Sequence, residues 1–219
     1  MKKSAFIFMI FILLSSVLSG CDSSPSDGEV NIPSSAPDSI VSSGQSESAP
    51  STEITTGSLL TVQLTFNRAS TMASNQYAVW IENADGELVK TLYVSTFTGN
   101  GGFARRAESL PTWVSKANPA EMDESEIDAI TSATPQNGVQ THTWDGTDEN
   151  GAQVSAGEYR VYVEGALYWT SSVLYSGGFE WGGDSENIEL TPTYTEAENE
   201  TNKDMITQVS AQYLSLIHI

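Results

Sequence analysis

The sequence has a single cysteine, Cys21, among 219 residues. One cysteine cannot form a disulfide within the chain, so the fold must be stabilised by its core alone. Only two histidines are present, His142 and His218, and no cluster of His or Cys has the spacing of a metal site. These scarcities argue against a hydrolase built on a nucleophile, a histidine and an acid, and equally against a metalloenzyme.

Basic residues are also scarce. Nine Lys and Arg against 28 Asp and Glu give a formal net charge of −19. Nucleic-acid-binding surfaces neutralise phosphates with Lys and Arg, so this class of function is excluded. An anionic membrane surface would repel such a chain, and any membrane attachment must therefore come from a hydrophobic group.

The only long hydrophobic run covers residues 5–14. It is shorter than the roughly 20 residues that a membrane-spanning helix needs, and it has the proportions of a signal-peptide core. The stretch that follows, Leu18-Ser19-Gly20-Cys21, resembles the lipobox of bacterial lipoproteins. That resemblance implies cleavage before Cys21 and attachment of a lipid to its sulfur. Residues 1–20 are thus predicted to be a lipoprotein signal peptide.

Residues 21–57 are predicted to be a lipid-anchored, disordered linker. Ser, Pro, Asp, Glu, Gly and Thr dominate the segment, and aromatic residues are absent from 22–56. Such a composition cannot bury enough apolar surface to offset the entropy lost on folding. Loss of residues 1–20 removes two lysines and no acid, which leaves a net charge of −21. An acidic domain held outside the cytoplasm, in the periplasm or at the cell surface, is the predicted arrangement.

Residues 58–215 have the pattern of a folded β domain, in which apolar and polar residues alternate with a period of two. Asp85-Gly86 separates two alternating runs, which is typical of a tight hairpin. Strands are predicted at 58–67, 77–81, 88–94, 140–144, 159–163, 187–195 and 205–214. The predicted fold is an all-β, Ig-like antiparallel sandwich. Residues 216–219 follow as an apolar tail, which we interpret as an artefact or a truncation.

An insertion at residues 96–136 interrupts the strands and is predicted to be partly helical. Residues 103–110 are compatible with a helix. Asp123 and Glu126 have the spacing of a capping box at the start of a second helix. A long insertion between the strands of a compact sandwich is more often functional than idle.

Two motifs resemble those of known proteins. Trp144-Asp145-Gly146, followed by Gly151 and by Ala156-Gly157-Glu158-Tyr159, resembles the Ig-like module of flagellar hook-cap proteins. This resemblance implies a fold and carries no information on function. The second motif, Asp128-Ala129-Ile130-Thr131-Ser132-Ala133-Thr134, resembles the flavinylation motif of exported bacterial redox proteins.

The flavinylation motif reads Asp, two residues, Ser or Thr, Gly, Ala, and Ser or Thr. Asp128, Thr131, Ala133 and Thr134 match it, and Ser132 departs from it where Gly is usual. The resemblance implies that a flavin transferase esterifies the phosphate of FMN to the hydroxyl of Thr134. If the transferase requires a backbone conformation that only Gly can adopt at position 132, Ser132 would block this modification.

The chain from residue 77 to about 213 also resembles a family of predicted periplasmic proteins known as domain of unknown function 2271. The shared features are the hairpin Ala78-Val79-Trp80-Ile81-Glu82, the insertion that contains a tryptophan, and the Trp-Asp-Gly motif. Membership implies a fold and a location and leaves the activity open.

Two functions remain open from the sequence. One is an electron-transfer module with covalent FMN and a redox partner in the membrane, in which Arg105 and Arg106 grip the phosphate and Trp113 stacks on the flavin ring. The alternative is a non-enzymatic, Ig-like structural or binding module of the cell envelope. In that interpretation Thr131 to Pro135 is only the exit of a helix.

Lipidation can be tested on the full-length chain expressed in a bacterium. The wild type should sediment with membranes and take up a labelled fatty acid, whereas Cys21→Ala should lose the label because its sulfur is gone. Persistence of the label on the alanine variant would show that the anchor lies elsewhere.

Overall fold

The structure is a computed structural model, and it describes residues 57–132, 135–196 and 202–216. All of them belong to the compact unit Pro50–Ile219. The predicted signal peptide and almost all of the predicted linker, including Cys21, lie outside the described residues. Ala133, Thr134 and residues 217–219 also lie outside them.

Ten strands and three short helices occur in the described residues. The strands are β1 Leu59–Phe66, β2 Gln76–Asn83, β3 Leu88–Ser95, β4 Thr131–Ser132, β5 Gly138–Trp144, β6 Gly157–Tyr168, β7 Ser171–Trp181, β8 Glu186–Ile188, β9 Thr191–Thr195 and β10 Ile206–Leu214. The helices are α1 Thr96–Gly99, α2 Pro111–Ala117 and α3 Glu124–Ile130, and two 3₁₀ turns cover Gly102–Ala104 and Lys203–Met205. None of these helices is long and apolar enough to cross a membrane.

The strands form two sheets that pack face to face. One sheet has the order β5-β1-β10-β8, and the other has the order β4-β3-β2-β6-β7-β9. All strand pairs are antiparallel except β3 and β4, which run parallel over two residues. The predicted all-β sandwich is therefore confirmed.

The main core lies between the two sheets. Strand β1 contributes Leu60, Val62, Leu64 and Phe66, each at most 1% exposed, as its alternation predicts. The other sheet faces them with its own alternate residues, among them Tyr77, Val79, Ile81, Val161 and Val163. Burying both sets of side chains between the sheets supplies the main free energy of folding.

A second, smaller core lies on the outer face of the six-stranded sheet. Ala78 and Trp80 of β2 point to this face, and Leu110, Trp113 and Ile130 of the insertion cover them. Residues 78–81 are all fully buried, so β2 has apolar contacts on both sides. The insertion is thus a lid of packed helices on the sheet and not a loop projecting into solvent.

The predicted hairpin turn is confirmed. Between β2 and β3, Gly86 at φ +76° donates its N–H to the carbonyl of Asn83, as expected of a tight Asp-Gly hairpin. At the end of β5, Trp144 is 2% exposed, and its Nε1 donates to the carbonyl of Thr147 at 2.7 Å. Its ring packs 4.6 Å from that of Trp181, centroid to centroid.

Three expectations about elements need correction. Strand β7 was not predicted, because the sequence Ser176-Gly177-Gly178 is typical of a turn. The structure explains Gly177, because a Cβ at this position would lie 2.6 Å from the carbonyl oxygen of Glu189. The strand predicted at 187–195 is two strands in different sheets, β8 and β9. The helix that residues 103–110 allow is absent, because Leu110 has φ +54° and helix α2 begins only at the following proline.

Replacement of Trp144 by alanine tests the core at the acidic turn. Because the indole is buried and hydrogen-bonded, Trp144→Ala should lower the free energy of unfolding by about 3–5 kcal/mol. The matched control is Trp169→Ala, since the side chain of Trp169 is 57% exposed, and the expected change is within about 0.5 kcal/mol. Chemical denaturation measures both, and equal losses would contradict the assignment of Trp144 to the core.

Candidate functional site

The segment with the flavinylation motif begins on helix α3 and ends at the edge of the six-stranded sheet. The predicted capping box is confirmed: Glu126 N–H donates to Asp123 Oδ1 at 2.9 Å, and Asp123 N–H donates to the Glu126 carboxylate at 2.7 Å. Ile127 and Ile130 face the protein, which leaves Asp128 exposed to solvent. The helix therefore presents the first motif residue on the surface.

The next motif residues form strand β4. Thr131 and Ser132 pair in parallel with Val94 and Ser95 of β3. Thr96 Oγ1 donates to the carbonyl oxygen of Ser132 at 2.8 Å, which ties the segment to helix α1. These contacts hold the segment at the sheet edge as far as Ser132, and Pro135 is buried.

A cavity of about 280 Å³ opens beside this segment, between β4 and β5. Its wall on the motif side includes Thr131, Ser132 and Pro135, so the described residues on both sides of positions 133 and 134 line it. The opposite wall comes from the two sheets.

Three aromatic side chains stand at the opposite wall. The rings of Tyr77 and Tyr93 lie 4.4 Å apart, and the imidazole of His142 lies 5.1 Å from the ring of Tyr93. Tyr77 Oη and His142 Nε2 are 3.3 Å apart, within hydrogen-bond distance. His142 belongs to β5, so its prediction as a strand side chain of the sandwich is confirmed.

All three groups are neutral at neutral pH, and burial makes this certain for the histidine. It raises the pKa of Tyr77 and of Tyr93 above the ordinary value of 10.0. It lowers the pKa of His142 to about 4. The imidazole can therefore form its hydrogen bond with Tyr77 as a neutral group.

The two arginines of the insertion pack on helix α1. The guanidinium groups of Arg105 and Arg106 sit 5.8 and 5.9 Å from the ring centre of Phe97. Phe97 follows Thr96, whose hydroxyl binds the carbonyl of Ser132. The fold thus links both arginines to the motif through adjacent residues of helix α1.

Arg106 has unused hydrogen-bonding capacity. Its Nε and Nη2 atoms are buried and have no hydrogen-bond partner within the part of the chain that the structure describes. Burial also lowers the pKa of Arg106, against the opposing effect of Glu108. Buried donors are nearly always paired, so these two unpaired atoms make Arg106 the candidate among the cations of the insertion for an acceptor such as a phosphate oxygen.

The expectation that Trp113 stacks on a flavin ring is wrong. Its side chain has no exposed surface and belongs to the core on the outer face of the sheet. Its Nε1 donates to Thr91 Oγ1 at 3.2 Å. Apolar covering of β2 requires a large side chain at this position, and no face of the indole is left for a ligand.

Two buried carboxylates that the sequence reasoning missed hold the insertion on the sheet. Glu164 is 2% exposed and accepts the N–H groups of Thr112 and Trp113 at 3.0 and 2.9 Å, at the start of helix α2. Glu82 accepts from Trp80 Nε1 at 2.8 Å and from Lys116 Nζ at 3.0 Å. The sequence contains a signal for these buried carboxylates, because both glutamates interrupt apolar runs that predict buried strands.

Two larger cavities lie elsewhere. One of about 430 Å³ is lined by four glutamates and a single arginine, Arg160, and the other, of about 350 Å³, is lined by Glu108, Glu164 and Glu196. Carboxylates in these numbers repel an anionic ligand. Over residues 57–132, 135–196 and 202–216, no three His, Cys, Asp or Glu side chains meet in an arrangement that could hold a metal ion.

Comparison with protein families identifies the domain. The model of the family described as predicted periplasmic protein (DUF2271) matches residues 59–198. The chain belongs to the DUF2271 family. The DUF2271 match covers strands β1 to β9, the insertion and the motif segment, and leaves out β10. Its description supports an extracytoplasmic location. No curated protein matches the sequence significantly.

Among solved structures, two crystal structures of truncated FlgD from Helicobacter pylori are similar to this DUF2271 protein. The first shares 17% identity with a TM-score of 0.29, and it covers 69% of this chain and 81% of the FlgD chain. The second shares 19% identity with the same TM-score, over 69% and 80% of the two chains.

The pH dependence of stability tests the role of Glu164 in this DUF2271 domain. Burial raises the pKa of Glu164 above its ordinary value of 4.5, and the hydrogen bonds from Trp113 and Thr112 offset only part of the shift. The folded state therefore binds the proton more tightly than the unfolded state. The stability that this tighter proton binding contributes is fully present below the ordinary pKa of 4.5. It is lost as the pH rises through the pKa of Glu164 in the folded state.

Glu164→Gln provides the reference, because glutamine keeps an acceptor oxygen and does not titrate. The free energy of unfolding of the wild type minus that of Glu164→Gln should fall as pH rises above 4.5, by about 1.4 kcal/mol for each unit by which the pKa is raised. Urea denaturation between pH 4 and 8 measures the difference. An increase with pH would mean that the two backbone hydrogen bonds outweigh burial.

Proposed function

We propose that this protein is a lipid-anchored extracytoplasmic β-sandwich that carries FMN esterified to Thr134 and acts as an electron-transfer module. The observation that carries the proposal is that the motif residues Thr131 and Ser132, together with Pro135, line a cavity whose described lining residues carry no formal charge. Arg106, in the same insertion, has two buried donors without a partner in the described residues.

The residues around the segment fit a flavin phosphate. The chain has few cations, and two of them, Arg105 and Arg106, are linked to the motif through helix α1. Lys116, the third cation of the insertion, is already paired with Glu82 at 3.0 Å. The buried Nε and Nη2 of Arg106 offer two donors on one guanidinium edge, an arrangement suited to two oxygens of one phosphate.

Ser132 is compatible with the proposal. The motif usually has Gly here, and a conformation reserved for Gly would have excluded serine. Ser132 instead lies in strand β4, where the backbone is extended and open to any residue. The fold therefore provides no steric reason for the departure to prevent modification.

The attachment chemistry requires an activated donor, for which a flavin dinucleotide is the suitable class. The hydroxyl oxygen of Thr134 would form a bond to the phosphorus on the flavin side of the pyrophosphate. The bond from that phosphorus to the bridging oxygen would break, the nucleoside monophosphate would leave, and the hydroxyl proton would pass to solvent. The exposed carboxylate of Asp128 is accessible to the transferase that performs this step.

A bound flavin would supply reversible electron transfer, and the protein would supply position and environment. Arg105 and Arg106 would hold the phosphate, and the covalent bond would keep the cofactor on a protein outside the cytoplasm. No residue of the chain would need to act as a nucleophile or base once the cofactor is attached. A redox partner in the envelope, in the membrane for instance, would deliver or accept the electrons.

Co-expression with an active flavin transferase tests the proposal. Intact-mass measurement of the soluble domain should show one FMN per chain, with a yellow colour that survives denaturation. Thr134→Ala should abolish both, because the acceptor hydroxyl is absent. The control is Thr143→Ala, which removes an exposed threonine of β5 outside the motif and should leave the adduct intact.

Two further variants assign the supporting residues. Arg106→Gln should lower the yield of adduct severalfold while the domain still folds, since it removes charge at the phosphate. Ser132→Gly reports on the departure from the usual motif. If neither the wild type nor Ser132→Gly takes flavin, the protein is a non-enzymatic structural or binding module of the envelope.

A further inference from the structure

The outer face of the four-stranded sheet carries no charge, although the domain is acidic. Strands β5, β1 and β10 lie side by side, and none of their residues is Asp, Glu, Lys or Arg. Strands β2, β3, β6 and β7 of the other sheet carry Glu82, Lys90, Glu158, Arg160, Glu164 and Glu180. A soluble surface typically has about 25–35% charged residues, so this face differs from an ordinary solvent-facing surface.

Alternate residues of β5, β1 and β10 form this face, which we call the uncharged face. Thr, Gln and Ser dominate it, among them Thr61, Gln63, Thr65, Thr141, Ser210 and Gln212. Two exposed aliphatic side chains, Val139 and Leu214, stand beside them. The face is broad and has no aromatic ring, whereas small-molecule sites are concave and rich in aromatic side chains. The surface of a folded protein is therefore the kind of partner that fits it.

The three glutamines of the uncharged face are held in place before any partner arrives. Each bonds to a side chain of a neighbouring strand: Gln63 Nε2 donates to Thr141 Oγ1 at 3.4 Å, Gln208 Oε1 accepts from Thr65 Oγ1 at 2.8 Å, and Gln212 Nε2 donates to Asn187 Oδ1 at 3.2 Å. Long side chains that are already fixed lose less entropy when a partner binds. The face is thus preorganised for association.

A β-bulge places Gln208 on the uncharged face with backbone strain. The register between β1 and β10 shifts between Gln63 and Thr65, so β10 has an additional residue in this stretch. Gln208 there has φ +50°, a left-handed conformation that is unfavourable for a residue with a Cβ. Strain of this kind persists where the surrounding structure enforces it, and it is frequent at functional sites. An exposed glutamine held in this way points to a surface with a role.

We infer that the uncharged face is the interface through which two copies of this protein pair. Each copy has a formal net charge of −19, and acids that face acids would repel. The uncharged face avoids that repulsion, and interface cores are generally depleted of charged residues. Hydroxyl and amide groups both donate and accept hydrogen bonds, so the face is complementary to itself, as a two-fold dimer requires.

The size of the uncharged face predicts a weak dimer. Strand β1 has eight residues, and three strands of that length cover roughly 15 by 25 Å. A pair would bury on the order of 1,000 Å² in total, at the low end for specific interfaces. Two copies held on one membrane by the lipid proposed at Cys21 would have a raised effective concentration. The pairing itself depends neither on that lipid nor on the flavin.

Sedimentation equilibrium of the mature chain, expressed from residue 22 without lipid, tests the pairing. The wild type should form a reversible dimer as its concentration rises from micromolar to millimolar. Gln63 lies on β1, the middle strand of the face, so Gln63→Glu would bring two carboxylates together near the two-fold axis. This variant should raise the dissociation constant about tenfold or more, because like charges across an interface disfavour association.

The matched control is Gln153→Glu, which adds the same charge at another exposed glutamine. Gln153 bridges to Thr147 in the turn that packs on β3 of the other sheet through Asp148 and Glu149. This variant should leave the dissociation constant unchanged. Equal midpoints of urea denaturation for Gln63→Glu and the wild type would show that a lost dimer does not reflect a lost fold.

Chemical cross-linking tests the same pairing on the full-length chain in a bacterial envelope. Sheets that pack face to face lie about 10 Å apart, so a bismaleimide of that reach should join two copies of Gln63→Cys into a covalent dimer. Asn100→Cys, exposed on the insertion over the other sheet, should stay monomeric. The wild type shows whether Cys21 contributes to the product.

Four outcomes would overturn the inference. They are a wild type that stays monomeric at millimolar concentration, a dimer that Gln63→Glu leaves unchanged, a dimer that both glutamate variants weaken equally, and cross-linking of Asn100→Cys as strong as that of Gln63→Cys. If Gln63→Glu fails to fold, the comparison of the two cysteine variants decides. Selective loss of the dimer in Gln63→Glu, with selective cross-linking of Gln63→Cys, would establish the interface.

Discussion

Strand β2 must be covered on both sides, and the rest of the domain is arranged around that requirement. Its inner residues face the four-stranded sheet, and its outer residues, Ala78 and Trp80, are as fully buried as the inner ones. An antiparallel sandwich alone covers one face of each sheet. The insertion supplies the second cover, and its return to the sheet edge positions the segment that leads to Thr134.

The second cover is costly to build, because short helices leave N–H groups unpaired at their starts. Glu164 resolves this by accepting two backbone N–H groups at the start of helix α2 from within the sheet. Glu82 accepts from two side chains, Trp80 Nε1 on its own strand and Lys116 Nζ of helix α2. Both glutamates therefore serve the attachment of the insertion. The insertion carries the candidate site, and its docking limits where that site can lie.

Local signals in the sequence predicted local structure well. The hairpin at Gly86 and the capping box of Asp123 depend on neighbours within a few residues, and both are confirmed. Strand β7 was not predicted because two glycines interrupt its alternation of apolar and polar residues. The need for those glycines becomes visible only when the residues that pack on them are known. The cavity could not be predicted either, since Tyr77, Tyr93 and His142 meet only when two sheets close. Trp113 was misassigned for the same reason: its partners lie on strands far away in the sequence.

Strand β1 connects the place where the chain enters the domain to the wall of the cavity. Its last residue, Phe66, packs 5.5 Å from Tyr77 of the cavity. Its middle residues, 62–64, pair with residues 140–142 of β5, which line the cavity. This wall therefore lies within about 10–15 Å of the start of the strand along its axis. A slip of β1 in its register would carry the β5 wall with it, so the first strand of the domain also sets the shape of the cavity.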